Sequence, residues 1–282
     1  MKQTNFIDRD ESLIYYDGII LIYFGGFKLD TDDNKYDKEF QVIVLAGELL
    51  LSNGAEIFRV EDTMDRIAKA FDLTDMDTFI IANGIFVTVK KNESKHQFKI
   101  KHIPTGATNL EKIELVNQIS RLIEQKTYDV DEALYQLQEL KKKRRYSARI
   151  QIAAYGLGGS SFCYFLGGSP KDSFVSLFLG IILGITMSLF AKSSVTKAIQ
   201  NIMGSAIVTI LAIKAYHMGF GDNIDKMIIG AIIPLVPGVA FTNAVRDFIE
   251  NDYISGIVRM LDSVLVAFSI AIGVGVVWSI MR

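Results

Sequence analysis

The chain has 282 residues, half of them hydrophobic, with a formal net charge of −2 and a single cysteine. A charge balance this close to zero gives no footing for nucleic acid, and Cys163 alone can form neither a disulfide within the chain nor a cysteine metal site. His96, His102 and His217 lack ligand spacing, so no metal centre and no cofactor is expected.

The charge is unevenly spread. Residues 1–150 hold 47 of the 62 charged residues and residues 151–282 only 15, which reads as a soluble part joined to a membrane part near residue 148. The expected organisation is an extension over 1–36, an α+β domain over 37–147 and a transmembrane domain over 148–282. A core of ~100 to 150 residues can fold by itself, so the first part reads as a domain. No signal peptide is visible: the apolar run from Leu13 to Phe27 is broken by Asp17 and falls short of the ~20 residues a span needs. It reads as a buried or interfacial segment.

From Phe40 to Leu51 apolar residues and good helix formers predict a helix, stopped by Ser52-Asn53-Gly54. A second helix follows, with Ile57, Val60, Met64, Ile67 and Phe71 on one face and Glu61, Asp62, Asp65 and Lys69 on the other. Thr78 to Lys90 is β-branched and aromatic and predicts one strand, with Gly84 as a bulge or close-approach point. Lys91 to Ser94 reads as a turn into a second strand around Phe98-Lys99-Ile100-Lys101. Thr108 and Glu111 have capping-box spacing ahead of a helix carrying Ile113, Val116, Ile119 and Ile123, and another helix runs from about Asp131 to Lys143.

Five spans are expected, at about 148–166, 173–190, 198–216, 227–245 and 256–280, each long enough for ~30 Å of hydrocarbon. Ten cations fall on one side (Lys141, Lys142, Lys143, Arg144, Arg145, Arg149, Lys192, Lys197, Arg246, Arg259) and four on the other (Lys171, Lys214, Lys226, Arg282). Positive-inside bias then puts the soluble domain in the cytoplasm and the C-terminus outside. The fold expected is therefore membrane α-helical with an N-terminal cytoplasmic α+β domain. Gly156, Gly158, Gly159, Gly180 and Gly184 read as helix-packing positions.

The fourth span is interrupted by Pro234-Leu235-Val236-Pro237-Gly238. A helix that loses backbone hydrogen bonds in hydrocarbon must satisfy them elsewhere, and transporters commonly bind substrate at such breaks. Pro234, Pro237, Gly238, Thr242 and Asn243 are the candidate substrate path, with Asn243 open to bridging two helices instead. Asp262 lies about 9 Å inside the fifth span at ~1.5 Å per residue, so it must be paired, hydrated or protonated. It reads either as an ion-coupling carboxylate or as the partner of Arg259 or Arg246 in an anchoring ion pair. Asp247 and the two arginines join it as candidates for coupling or gating.

Two stretches resemble the threonine/serine exporter family. One is Leu51-Ser52-Asn53-Gly54-Ala55-Glu56 with Arg59-Val60-Glu61-Asp62-Thr63. The other is Pro234-Leu235-Val236-Pro237-Gly238-Val239-Ala240 with Thr242-Asn243-Ala244, Arg246-Asp247 and Ser255-Gly256. Between them lie Gly84-Ile85-Phe86-Val87 and Asn109-Leu110 in the order the family shows, and the likeness covers about residues 40–280. It implies export of small polar metabolites, threonine and serine in some members and dicarboxylates such as succinate in others, driven by an ion gradient. Members are either one ten-span chain or a long subunit of about five spans with a small membrane subunit, and this chain looks like the long subunit. The partners implied are the lipid bilayer, that small subunit or further copies of the chain, and a small-molecule substrate. The likeness assigns no chemistry to Glu56, Arg59 and Glu61, which read as a cytoplasmic gate or as a salt-bridged helix junction.

A membrane-anchored enzyme using Glu56, Glu61 and Asp62 is the weaker alternative, because the sequence has no Gly-rich phosphate loop, nucleophile elbow or His/Asp/Ser arrangement. A sensor or scaffold subunit reporting through the basic helix 131–145 is another. Neither needs a broken span.

Overall fold

The computed structural model describes residues 12–16, 19–23, 31–73, 75–92, 95–104, 106, 108–143, 146–191, 193 and 195–281, with side chains described from residue 35 onward except at 91, 92, 95 and 96. The chain condenses into two compact units, residues 1–143 with 242–259 and residues 144–241 with 260–282.

The first unit is built round α1 (Thr31–Ser52), which is longer than the apolar run alone predicts because its first two turns are largely polar. From Glu39 to Leu51 most of its positions are buried on every side, the mark of a central core helix. Against it pack α2 (Ile57–Ala70), α3 (Leu110–Glu124) and α4 (Val130–Lys142), burying Val60, Met64, Ile67, Val116, Ile123 and Leu137. The periodicity that predicts α2 is the face that is buried. The N-cap of α3 is Asn109, whose side chain accepts from the Lys112 N–H at 3.1 Å, and not Thr108.

The expected single strand over 78–90 is two, β3 (Met76–Ile81) and β4 (Gly84–Asn92), paired antiparallel with Ile81 opposite Gly84. Ala82-Asn83 makes the turn, so Gly84 opens a strand and is no bulge. With β5 (Lys95–His102) they form a meander in the order β3-β4-β5. Ile80, Ile85, Val87 and Val89 point into the core; Phe79, Phe98 and Ile100 lie exposed on the other face. Glu93 and Ser94 of the expected turn lie outside the described residues. β1 (Ser12–Tyr16) and β2 (Ile19–Tyr23) pair antiparallel, largely within the run read as buried or interfacial, whose side chains also lie outside the described residues.

The second unit contains α5 (Ala148–Phe165), α6 (Pro170–Phe190), α7 (Lys197–His217), α8 (Ile224–Ile232), a 3-10 turn (Ile233–Leu235), the first residues of α9 (Gly238–Ile249) and most of α10 (Tyr253–Met281). Leu179, Leu183, Val208, Ala212, Met227, Ile228 and Ala231 form its core. Asp172 is fully buried and satisfied, accepting from the N–H groups of Ser169, Asp222 and Asn223 at 2.8, 2.7 and 3.0 Å, and so ties the start of α6 to the loop before α8.

Among the described residues, three helices are long and apolar enough to cross a membrane: α6, α7 and α10. A fourth span is counted if α8 and α9, bent by 62° at their break, form one. The first expected span, α5, falls short because Arg149 and Gln151 occupy its first turn and glycine and serine its middle. In the three long spans no more than 33% of the apolar window is buried inside the protein. Exposed Phe165, Phe174, Leu189, Leu265, Phe268 and Ile280 therefore need a non-aqueous solvent, since monomeric soluble proteins do not expose contiguous apolar surface on that scale.

Candidate functional site

The break in the fourth apolar segment follows from its prolines. Pro234 and Pro237 have no N–H to continue the helical ladder. The chain tightens into the 3-10 turn, where the Val236 N–H bonds to Ile233 O at 2.9 Å, and α9 restarts with the Phe241 N–H on Pro237 O at 2.9 Å. Gly238 is exposed, and a Cβ added there would meet nothing within 4 Å.

Four residues later the chain belongs to the first unit. There the α1–α2 junction is bound residue by residue by α9 and the start of α10. Asn243 Nδ2 donates to Gly54 O at 2.9 Å. Arg259 donates to Ala55 O at 2.8 Å. Arg246 pairs with the Glu56 carboxylate. Asp247 accepts from the Ile57 N–H and pairs with Arg259 at 3.2 Å. Asn243, Asp247 and Arg259 are 9%, 2% and 7% exposed, so this clasp is dry at its centre.

The local sequence explains the receiving side. Gly54 sits at φ +82°, where a side chain is strained, and a Cβ there would lie 2.9 Å from Thr108 Oγ1. That left-handed turn ends α1 and presents the Gly54 and Ala55 carbonyls outward. The N-cap of α2, Glu56, makes no side-chain cap bond of its own. Asp247 supplies that cap from 190 residues away, and a carboxylate at a helix N-terminus also meets the positive end of the helix dipole.

The structure thus brings Glu56, Arg59, Asn243, Arg246, Asp247 and Arg259 together, with Arg59 3.8 Å from the same Glu56. Glu61 stands one turn further along α2 and faces Asp252. Burial, then Asp252 and Asp65, push the Glu61 carboxyl above its ordinary value, against a hydrogen bond from Thr78. Burial, then Glu250, push Asp252 up as well, against Arg259. The two arginines offered to Asp262 are engaged by Asp247 and Glu56, while Asp262 is exposed on α10 and belongs to the second unit. Pro234, Pro237 and Gly238 also belong to the second unit, and Thr242 and Asn243 to the first. Sequence reasoning missed the role of Ala55 and Ile57, which act through backbone groups. The usable signal was an α2 without a capping side chain at its start.

The model of the threonine/serine exporter family, ThrE, matches residues 41–281. The chain belongs to the threonine/serine exporter family. It is similar to a protein of Corynebacterium glutamicum named "Threonine/serine exporter", 23% identical over 87% of this chain and 52% of that one. It is also similar to a Klebsiella aerogenes protein named "Probable succinate transporter subunit YjjP", 23% identical over 80% of this chain and 87% of that one. A third relative is "Pheromone-regulated membrane protein 10" of Debaryomyces hansenii, 24% identical over 80% of this chain and 23% of that one. The chain spans between about a quarter and a half of the Debaryomyces and Corynebacterium proteins. No solved structure matches. The family and the transport relatives are described as exporters and transporters, not enzymes, and the apolar helices make this family member a membrane-embedded helical protein.

Proposed function

We propose that the chain is a secondary exporter, or the long subunit of one, for small polar metabolites: threonine- or serine-type amino acids or a small dicarboxylate. An ion gradient, of protons, drives it across the cell membrane. The observation that carries this reading is the break at Pro234–Gly238, in an apolar segment bent by 62°, because freed backbone groups at membrane depth are what transporters use to hold a substrate. Pro234, Pro237, Gly238 and Thr242 line the path, Asn243 anchors its cytoplasmic end through Gly54, and Asp262 is the coupling carboxylate. The names of relatives support the substrate classes. A relative named as a transporter subunit, matched over 87% of its length, supports a partner chain, either a small membrane subunit or further copies.

Counterflow and gradient-driven efflux from proteoliposomes, with labelled threonine, serine and succinate and with and without the small subunit, test this. Pro237→Ala with Gly238→Ala gives the segment back its helix, and the open space at Gly238 accepts the methyl. Normal membrane insertion with export largely lost is expected; full export in the double variant would overturn the assignment.

A further inference from the structure

We propose that α9 and the start of α10 are moving parts of the soluble unit: the clasp stays closed through the transport cycle, and the soluble unit is the handle that displaces the broken half-helix. This rests on the exporter reading and deepens it.

Three observations carry it. Residues 242–259 cluster with residues 1–143 and not with the membrane helices they are continuous with. The clasp is made at four consecutive junction residues, Gly54, Ala55, Glu56 and Ile57, so α9 is fixed in position and in rotation. The charges at its centre, Asp247 and Arg259, are buried against each other, and opening it in each cycle would strand both. A latch meant to open would be wet and exposed.

On the other side the helical ladder between α8 and α9 is interrupted. Pro234 and Pro237 have no N–H to continue it, and a Cβ at Gly238 would meet nothing within 4 Å. Displacement of the soluble unit therefore carries α9 without bending a regular helix, and α10, continuous from Tyr253 to Met281, takes the same displacement into the last apolar helix. Asn243, Asp247 and Arg259 are on this view positioning residues for transport, and a ligand or partner that holds the soluble unit still would stop flux.

Spin-label distances in the full chain in proteoliposomes decide it. In a Cys163→Ser background, labels at Glu114→Cys and Glu250→Cys both lie in the first unit, and labels at Phe220→Cys and Glu250→Cys span the two. With threonine, serine or succinate and a proton gradient applied, the first pair is expected to keep its distance distribution and the second to shift. A shift in the first pair, or a fixed second pair during measured flux, would overturn the proposal. Asp247→Asn with Arg259→Gln leaves no stranded charge; it is expected to broaden the first pair's distribution and abolish flux while substrate binding keeps its affinity. Normal flux despite a broadened distribution would also overturn it. If the parent chain moves none of the three substrates, the exporter reading fails, and that is read from flux before any distance is measured.

Discussion

Asp247 and Arg259 answer each other at 3.2 Å with almost no exposure, so removing one leaves a buried charge alone. That loss is about 3–5 kcal/mol, whereas Arg246 stands open to solvent, so losing its pair with Glu56 strands no buried cation and weakens the fold far less. Asp247→Ala is expected to leave little stably folded chain, and Arg246→Gln to lower the melting temperature by no more than ~2–4 °C. Thermal melting in detergent checks the ranking, and equal losses would refute the clasp's dry centre. A second residue-scale test uses pH. Glu61 and Asp252 are held above their ordinary values, so the fold binds protons better than the unfolded chain and stability grows as pH falls through the raised values. Glu48 is the opposite case: burial pushes it up, but hydrogen bonds from Lys101 and Lys141 outweigh this and hold it low. Its stabilisation is present above the ordinary carboxylate value and lost as pH falls through the depressed one. Glu61→Gln with Asp252→Asn should raise the melting temperature near pH 7 and remove the gain on mild acidification. Glu48→Gln should lower melting at neutral pH and converge on the parent in acid.

Helices with one buried face were readable at the scale of elements. α2 and α3 follow from spacing, because on each the residues that recur every three or four positions are the ones buried, and α4 was placed within one residue of its observed start and end. The β3–β4 turn was hidden because Thr78 to Lys90 is rich in β-branched and aromatic residues on both sides of it, and only Asn83-Gly84 marks the reversal. The broken span was legible from its two prolines. The clasp was not: Gly54 and Ala55 are bound through carbonyls that every residue has, and the partners lie 189 and 204 positions away. Glycines in the membrane unit can now be ranked. A Cβ at Gly180 would strike the Tyr155 carbonyl and lie 2.9 Å from Gly156 Cα, whereas one at Gly275 meets nothing within 4 Å. Gly180→Ala is expected to cost about 1–3 kcal/mol and Gly275→Ala to stabilise its helix by roughly 0.5–1 kcal/mol. Melting of the two variants side by side is the check, and a neutral Gly180→Ala would contradict the α5–α6 contact.

At the scale of the whole molecule, the clasp constrains how the chain threads the bilayer. Gly54 to Ile57 bind Asn243, Arg246, Asp247 and Arg259, so residues 1–143 and the α9–α10 connection are expected on one side of the membrane. The number of crossings between residues 143 and 249 is therefore even. α6 and α7 supply two. Either α5 and the broken α8–α9 segment both cross, making four, or neither does and the broken segment dips in and returns. A short, glycine-rich α5 that crosses beside three full spans restores the five expected from the sequence; the other solution leaves three. In both, α10 is expected to carry the chain to the side opposite residues 1–143. The loops discriminate: four crossings put the α7–α8 loop across the membrane from the soluble part, and two put it on the same side. Positive-inside bias favours four, because Lys197 then joins Lys141, Lys142, Lys143 and Arg149 in the cytoplasm. In a Cys163→Ser background, Phe220→Cys, 58% exposed in that loop, is expected to react with an impermeant thiol reagent added to intact cells, and a cysteine at residue 96 is expected to stay protected. Protection of both would select the three-span, re-entrant arrangement, and labelling at residue 96 would reverse the orientation of the whole chain.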